Sequence, residues 1–177
     1  LKIGVVGSGR VGSALGTAWI KAGHEVMFSS LDLEHDKKLA GGLGPNAKAG
    51  STKEAATFGS VVLVSVPYQA LPGIGKEIGE VLKGKVVIDT SNPIVARDGD
   101  MAVAAREKGA GLATLEFLPG ARIVRAFNAI GFAKMADAAA KKEGFGMPMA
   151  GDDAGAIAVA SGLVRDVGYE PVLVGPL

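Results

Sequence analysis

Lys2-Ile3-Gly4-Val5-Val6-Gly7-Ser8-Gly9-Arg10-Val11-Gly12 is the stretch that decides how this chain folds. Lys2 to Val6 is a short apolar, β-branched run that ends in glycine, the pattern of a buried strand. Gly7 to Gly12 matches G-x-G-x-x-G. From Val11 the period changes: Val11, Ala14, Leu15, Ala18, Trp19 and Ala22 recur at helical spacing. Gly23 then stands where a helix C′ glycine stands. His24 to Ser29 reads as a second strand. A glycine loop between a strand and an amphipathic helix predicts a phosphate-binding turn. Gly7 permits the tight turn, Gly9 lets the backbone approach a pyrophosphate, and Gly12 lets helix and strand pack closely. The helix N-terminus adds unpaired N–H groups and a partial positive charge. Gly7, Ser8, Gly9, Arg10, Val11 and Gly12 are therefore candidate dinucleotide contacts. The bland alternative, a glycine turn with no ligand, lacks a reason for this placement.

Outward from this unit the alternation of strands and helices continues. Asp32 to Leu39 is charged and helical, and the Gly41-Gly42-Leu43-Gly44-Pro45 loop breaks it. Ala47 to Ala49 is a short strand. Ser51 and Glu54 have the spacing of a capping box. Val61 to Val66 is the strongest strand and stops at Pro67. Ala70 to Leu82 is a helix, Lys85 to Asp89 a strand, and Thr90-Ser91-Asn92-Pro93 a turn. Asp100 to Leu118 is helical with glycine interruptions. Arg122 to Phe127 is a strand, Ile130 to Lys142 a helix and Phe145 to Ala150 a strand. Gly151-Asp152-Asp153 opens a helix over Ala154 to Val167, and Glu170 to Val174 is the last strand. Strands alternating with helices through short connections predict an α/β fold. It is of Rossmann type: a doubly wound, mainly parallel sheet with helices on both faces. Residues 1–177 read as a single dinucleotide-binding domain.

Composition narrows the chemistry. The chain has 177 residues, 48% of them hydrophobic and 21% charged, so disorder is not its default state. Lys+Arg is 19 and Asp+Glu is 18, giving a net charge of +1, which argues against a strongly basic nucleic-acid binder. Aromatics at 5% argue against base-stacking surfaces. With Cys at 0 and His at 2, disulfides, thiolate nucleophiles, Cys-ligated zinc and His-rich metal centres are excluded. No apolar run reaches the roughly 20 residues of a membrane helix. No secretory signal pattern is visible. Composition leaves a cytoplasmic protein with no nucleic acid, no membrane and no metal; small-molecule redox partners and a homodimer are expectations that composition does not supply and that rest on the resemblance given below.

The tip of the second strand selects between NAD and NADP. An acid there binds the ribose 2′-hydroxyl and repels a 2′-phosphate. This chain has Ser29-Ser30-Leu31 instead, which favours NADP, although Asp32 lies nearby. Arg10, Lys37 and Lys38 are candidate phosphate partners, with a solvated helix face as the plainer reading of the lysines.

Several motifs in order carry a family resemblance. They are Gly7-Ser8-Gly9-Arg10-Val11-Gly12, Gly23-His24-Glu25-Val26, Val66-Pro67-Tyr68-Gln69-Ala70 and Val87-Ile88-Asp89-Thr90-Ser91-Asn92-Pro93. Arg125-Ala126-Phe127-Asn128, Gly151-Asp152-Asp153 and Val174-Gly175-Pro176-Leu177 complete the set. Across essentially its whole length the chain resembles the NADPH-dependent reductases of the deazaflavin coenzyme F420. The resemblance implies that Ser30 contacts the 2′-phosphate of NADP(H) and that the Val66-Pro67-Tyr68 turn passes beside the nicotinamide ribose. It implies that Asn92-Pro93 and Phe127-Asn128 line the groove where two redox rings meet. The family usually follows its serine with an arginine that grips the phosphate; here that position is Leu31. Family members also commonly continue beyond the Gly-Pro-Leu end with another helical segment.

Both the Asn92 turn and the Asn128 strand end follow strands, and open α/β sheets bind ligands beyond the carboxyl ends of strands. Turn formation and strand termination are the plainer readings of Asn92 and Pro67. Tyr68 is a candidate proton donor or a packing residue, and Asp89 a buried acid or a general base. No nucleophile or acid–base constellation stands out. The chain therefore reads as an oxidoreductase in which cofactors carry the hydride: NADP(H), with F420 or a flavin as the second ring. The alternative is an NADP(H)-binding module without turnover.

Overall fold

The computed structural model describes residues 1–138 and 144–177. β1 (Lys2–Val6), α1 (Arg10–Lys21) and β2 (Glu25–Ser29) form the opening unit. Gly23, at φ +91°, turns the chain out of α1 as a C′ glycine does. α2 (Leu33–Gly41), β3 (Ala47–Ala49), α3 (Thr52–Phe58) and β4 (Val61–Val64) follow. α3 starts with the expected capping box: Ser51 Oγ accepts from the Glu54 N–H, and the Glu54 carboxylate accepts from the Ser51 N–H. A single 3-10 turn, Tyr68–Ala70, leads into α4 (Leu71–Leu82) and β5 (Val86–Asp89).

The glycine-interrupted helix expected over Asp100 to Leu118 is two helices that start earlier, α5 (Val95–Lys108) and α6 (Ala110–Phe117). Gly109, at φ +99°, separates them, and Gly99 breaks α5 near its start. β6 (Arg122–Arg125) stops before Phe127, shorter than expected. Then come α7 (Phe132–Ala138), β7 (Gly146–Gly151), α8 (Ala154–Asp166) and β8 (Glu170–Gly175). The stretch from 139 to 142 of the helix expected at Ile130 to Lys142 lies outside the described residues.

The strand order is β3-β2-β1-β4-β5-β6-β7-β8. Pairing is parallel throughout except between β6 and β7. This is the doubly wound α/β fold that the alternation predicts. Successive strand side chains point to opposite faces, so each central strand feeds two apolar layers. Ile3, Val5, Leu63, Ile88 and Val124 pack with Leu15 and Trp19 of α1 and Leu163 of α8. Val6, Val62, Val64, Val87 and Ile123 pack with Ile78 and Leu82 of α4. Burial on both faces explains why these strands read as continuous apolar runs. The strand order reverses between β1 and β4, which run parallel, and such a switch point opens a crevice at the carboxyl edge of the sheet.

Candidate dinucleotide site

The glycine loop bends at Gly7, whose φ is +96°. The N–H groups of Gly7 and Ser8 both donate to the Ser29 carbonyl, at 2.9 and 3.0 Å, tying the loop to the tip of β2. A Cβ at Gly7 would lie 2.2 Å from the Ser65 carbonyl oxygen, and one at Gly12 would lie 2.0 Å from that of Gly7. Both glycines are required by internal packing. Gly9 differs: a Cβ there meets nothing within 4 Å. Its open side faces no protein atom, which is the cradle a ligand phosphate needs. Gly9 caps α1 without a side-chain hydrogen bond, and no acid occupies the first turn. The first N–H groups of the helix have no intrahelical acceptor. They therefore form an anion site built from backbone alone. The residues present thus fit a dinucleotide pyrophosphate. Arg10 flanks this cradle, its guanidinium 5.1 Å from the centroid of the Phe132 ring at the start of α7. Val11 is half-buried against the core.

The three polar residues expected at the tip of β2 have different positions. Ser29 is buried, and its hydroxyl donates to the Val5 carbonyl at 2.8 Å, so its side chain serves the sheet. Ser30 is half-buried at the crevice. Asp32 caps α2 by accepting from the His35 N–H at 2.9 Å. Leu31 is fully exposed. Lys37 pairs with Glu34 at 2.8 Å, and Lys38 is exposed on the same helix. Asp36, which sequence reasoning left on a charged face, is fully buried and accepts from the hydroxyls of Ser8 and Ser30. The signal was available: Asp36 is one helical repeat from Ala40, which is also buried.

Beyond β4, Val66 is half-buried and Pro67 exposed at the crevice rim. The Tyr68 ring lies in the core, with its hydroxyl donating to the Ala110 carbonyl at 3.1 Å. That burial also raises the phenol above its ordinary value of 10.0. A proton-donor role for Tyr68 has no geometry behind it; its backbone alone reaches the turn.

At the ends of β5 and β6 a polar network joins two loops. Asp89 is fully buried. It accepts from the Ser91 N–H and hydroxyl, from Thr114 Oγ1 at 3.0 Å and from Arg125 at 2.6 Å. Asp89 and Arg125 are register partners on adjacent strands. With both oxygens engaged, Asp89 is a structural acid and not a general base. Arg125 also donates to the Ser91 carbonyl at 2.9 Å. Asn92 Nδ2 donates to the Asn128 carbonyl at 2.8 Å, and Asn128 Nδ2 to the carbonyls of Asp89 and Ser91 at 3.2 Å. Asn92 and Asn128 are thus neighbours at one end of the crevice, as expected. Pro93 is buried beneath them, its carbonyl accepting from Arg106 at 2.9 Å. Phe127 precedes Asn128 at φ +64°, an uncommon conformation for a non-glycine residue. The ring edges of Trp19 and Tyr169 hold it there, each centroid 6.4 Å away.

The Asn92 turn is fixed from its other side by Asp98. Its carboxylate accepts from Arg97 and from the N–H groups of Ile94 and Gln69. The Arg97 guanidinium and these backbone donors hold Asp98 down at about 2, against an ordinary 3.8. A carboxylate depressed on folding stabilises the fold above its unfolded value and loses that contribution as pH falls through the folded one. Urea unfolding of the natural chain should therefore become easier on acidification between about pH 4 and pH 2, beyond the change seen in Asp98→Asn. Parallel pH profiles for the two proteins would contradict this.

A mainly parallel sheet with a glycine loop at its switch point, open above Gly9, and polar strand ends beside it has the architecture of the dinucleotide-binding α/β class. The comparisons with known proteins agree. Residues 2–93 match the family model described as NADP oxidoreductase, coenzyme F420-dependent. The F420-dependent NADP reductase of Methanothermobacter marburgensis is 32% identical over 150 residues, covering 77% of this chain and 67% of that protein. The metalloreductase STEAP3 of Rattus norvegicus is 27% identical over 179 residues, covering 99% of this chain and 34% of that one. A structure of a hypothetical protein from Sinorhizobium meliloti superposes with a TM-score of 0.81 at 26% identity, covering 99% of this chain and 84% of that one. The chain belongs to the coenzyme F420-dependent NADP oxidoreductase family. It spans 67% and 62% of the length of two curated reductases that it matches.

Proposed function

We propose that this protein is an oxidoreductase that moves a hydride between NADP(H) and the deazaflavin of coenzyme F420, with residues 1–177 acting as one dinucleotide-binding domain. The observation that carries the reading is the uncapped N-terminus of α1 opening onto the space above Gly9. Family membership supplies the two cofactors. NADP(H) would supply or receive the hydride, and the protein's task is to hold the two rings together in a dry groove.

The backbone of Gly7, Ser8, Gly9, Arg10, Val11 and Gly12 would hold the pyrophosphate. Ser30 would meet the adenosine ribose, with Ser29 bracing the loop through its carbonyl. Val66, Pro67 and the Tyr68 backbone would border the nicotinamide ribose. Asn92, Pro93 and Asn128 would line the redox groove. The Asn92 Nδ2 bond to Asn128 fixes this wall, so a ring placed against it meets an oriented amide that Arg125 and Arg97 back by donating to Asn92. Among the described residues no helix is long and apolar enough to cross a membrane. A cytoplasmic homodimer belongs to the same reading; the exposed Val172, Leu173 and Val174 on the edge strand β8 support self-association.

The test is anaerobic mixing of the protein with NADPH and oxidised F420, following deazaflavin absorbance. Asn92→Ala should slow single-turnover reduction by roughly tenfold or more, because a misplaced groove wall loses near-attack geometry. NADPH affinity and thermal midpoint should change far less. If no deazaflavin or flavin is reduced, a binding module without turnover replaces the enzyme reading.

A further inference from the structure

We infer that Asp36 is a specificity-determining residue of the adenosine subsite: it holds down the preference for a 2′-phosphorylated over an unphosphorylated dinucleotide. The inference rests on the reading of the glycine loop as a dinucleotide site.

Asp36 has no solvent exposure, yet it lies directly beneath the tip of β2. Its carboxylate accepts from the Ser8 hydroxyl within the glycine loop and from the Ser30 hydroxyl, at 2.9 Å on one oxygen and 3.0 Å on the other. No ion pair to Asp36 is formed by the described residues. A serine hydroxyl carries one proton and two lone pairs. Ser30 spends its proton on Asp36 and receives the Asp32 N–H at 3.1 Å. Toward the crevice Ser30 is then an acceptor.

That polarity suits a ribose 2′-hydroxyl, which can donate. It does not suit a 2′-phosphate, which carries acceptor oxygens and negative charge and needs donors. Next to Ser30, Leu31 is apolar and fully exposed and Lys37 is tied to Glu34, which leaves Arg10 and Lys38 as the cations that could reach a phosphate there. A buried carboxylate under the same subsite also repels a phosphate dianion more strongly than it would across water. Asp36 therefore acts through Ser30 by orienting its proton, and directly through its charge.

Asp36→Asn should reverse both effects. The amide Nδ2 can donate to Ser30 Oγ, which turns the serine proton outward, and the charge is gone. Asp36→Leu removes the acceptor altogether and serves as the second variant. The probes are adenosine 2′,5′-bisphosphate and 5′-AMP, followed by NADPH and NADH, titrated against the purified protein by calorimetry, with a thermal melt of each variant. In Asp36→Asn the affinity for the 2′-phosphorylated probes should rise about tenfold relative to the unphosphorylated ones, the scale of one charge-assisted hydrogen bond. A structural role alone would weaken all four ligands together and leave their ratio unchanged. An unchanged ratio in both variants, with all four ligands still bound, overturns the assignment of Asp36. If the natural chain binds none of the four, the dinucleotide reading itself falls and takes the inference with it.

Discussion

Gly9→Val should abolish measurable NADPH binding and leave the melting temperature within a few degrees of the natural chain. The space above Gly9 is empty of protein, so the valine side chain has room in the folded protein. The same space is where a pyrophosphate must approach the α1 N–H groups. Gly12→Val is the informative contrast. Its Cβ would sit 2.0 Å from the Gly7 carbonyl oxygen and 3.1 Å from a Val5 methyl carbon. Helix α1 cannot move off β1 without opening the core around Leu15 and Trp19, both fully buried. Circular dichroism and a cofactor titration on both variants separate ligand space from packing space. Natural affinity in Gly9→Val would mean that the loop is only a turn.

Arg125→Ala should destabilise the fold by about 3–5 kcal/mol, the cost of leaving a buried carboxylate without its cation. Asp89 is fully buried, and only the Ser91 and Thr114 donors would remain to it. The larger consequence is local. Arg125 Nη2 donates to the Ser91 carbonyl, so its loss leaves the Asn92 turn tied to the end of β6 by the Asn92 and Asn128 bonds alone. Hydride transfer should fall further than NADPH affinity, because the pyrophosphate loop is anchored elsewhere, to Ser29. Chemical denaturation and single-turnover kinetics test the two halves. A loss of under about 1 kcal/mol would assign the pair the energetics of an exposed ion pair.

Much of the site was legible because its chemistry is local. The Gly7 to Gly12 loop is a contiguous string, and backbone sterics decide the role of each glycine. Asn92 and Asn128 were placed at the right edge because parallel strands deliver their carboxyl ends to one side of the sheet. The capping box at Ser51 and the C′ turn at Gly23 are short-range motifs, and both formed as read. Helix limits were less legible. Gly109 breaks the expected Asp100 to Leu118 helix, and Gly99 interrupts the turn that precedes it, because glycine takes positive φ at little cost and the sequence does not say which glycine will do so.

By itself the sequence determined the α/β alternation, the mainly parallel sheet, the glycine turn after β1 and the polar strand ends. Each follows from a periodicity or a spacing within about thirty residues, the length of one strand–helix–strand unit. Only the tertiary structure decided which polar groups face the ligand and which serve the protein. Ser29 and Ser30 are adjacent, yet Ser29 ends β2 and its hydroxyl donates to Val5 of β1, whereas Ser30 lies past the strand and its hydroxyl donates to Asp36 of α2. Tyr68, read as a proton donor or a packing residue, packs in the core. Asp36, one of several charged residues on α2, is the one buried against two serines. Asp89, read as a buried acid or a general base, is a buried acid saturated by Ser91, Thr114 and Arg125, partners 2, 25 and 36 residues away. The physical reason is common to all four. A buried polar group must find hydrogen-bond partners, and folding draws those partners from distant segments that no local pattern can name.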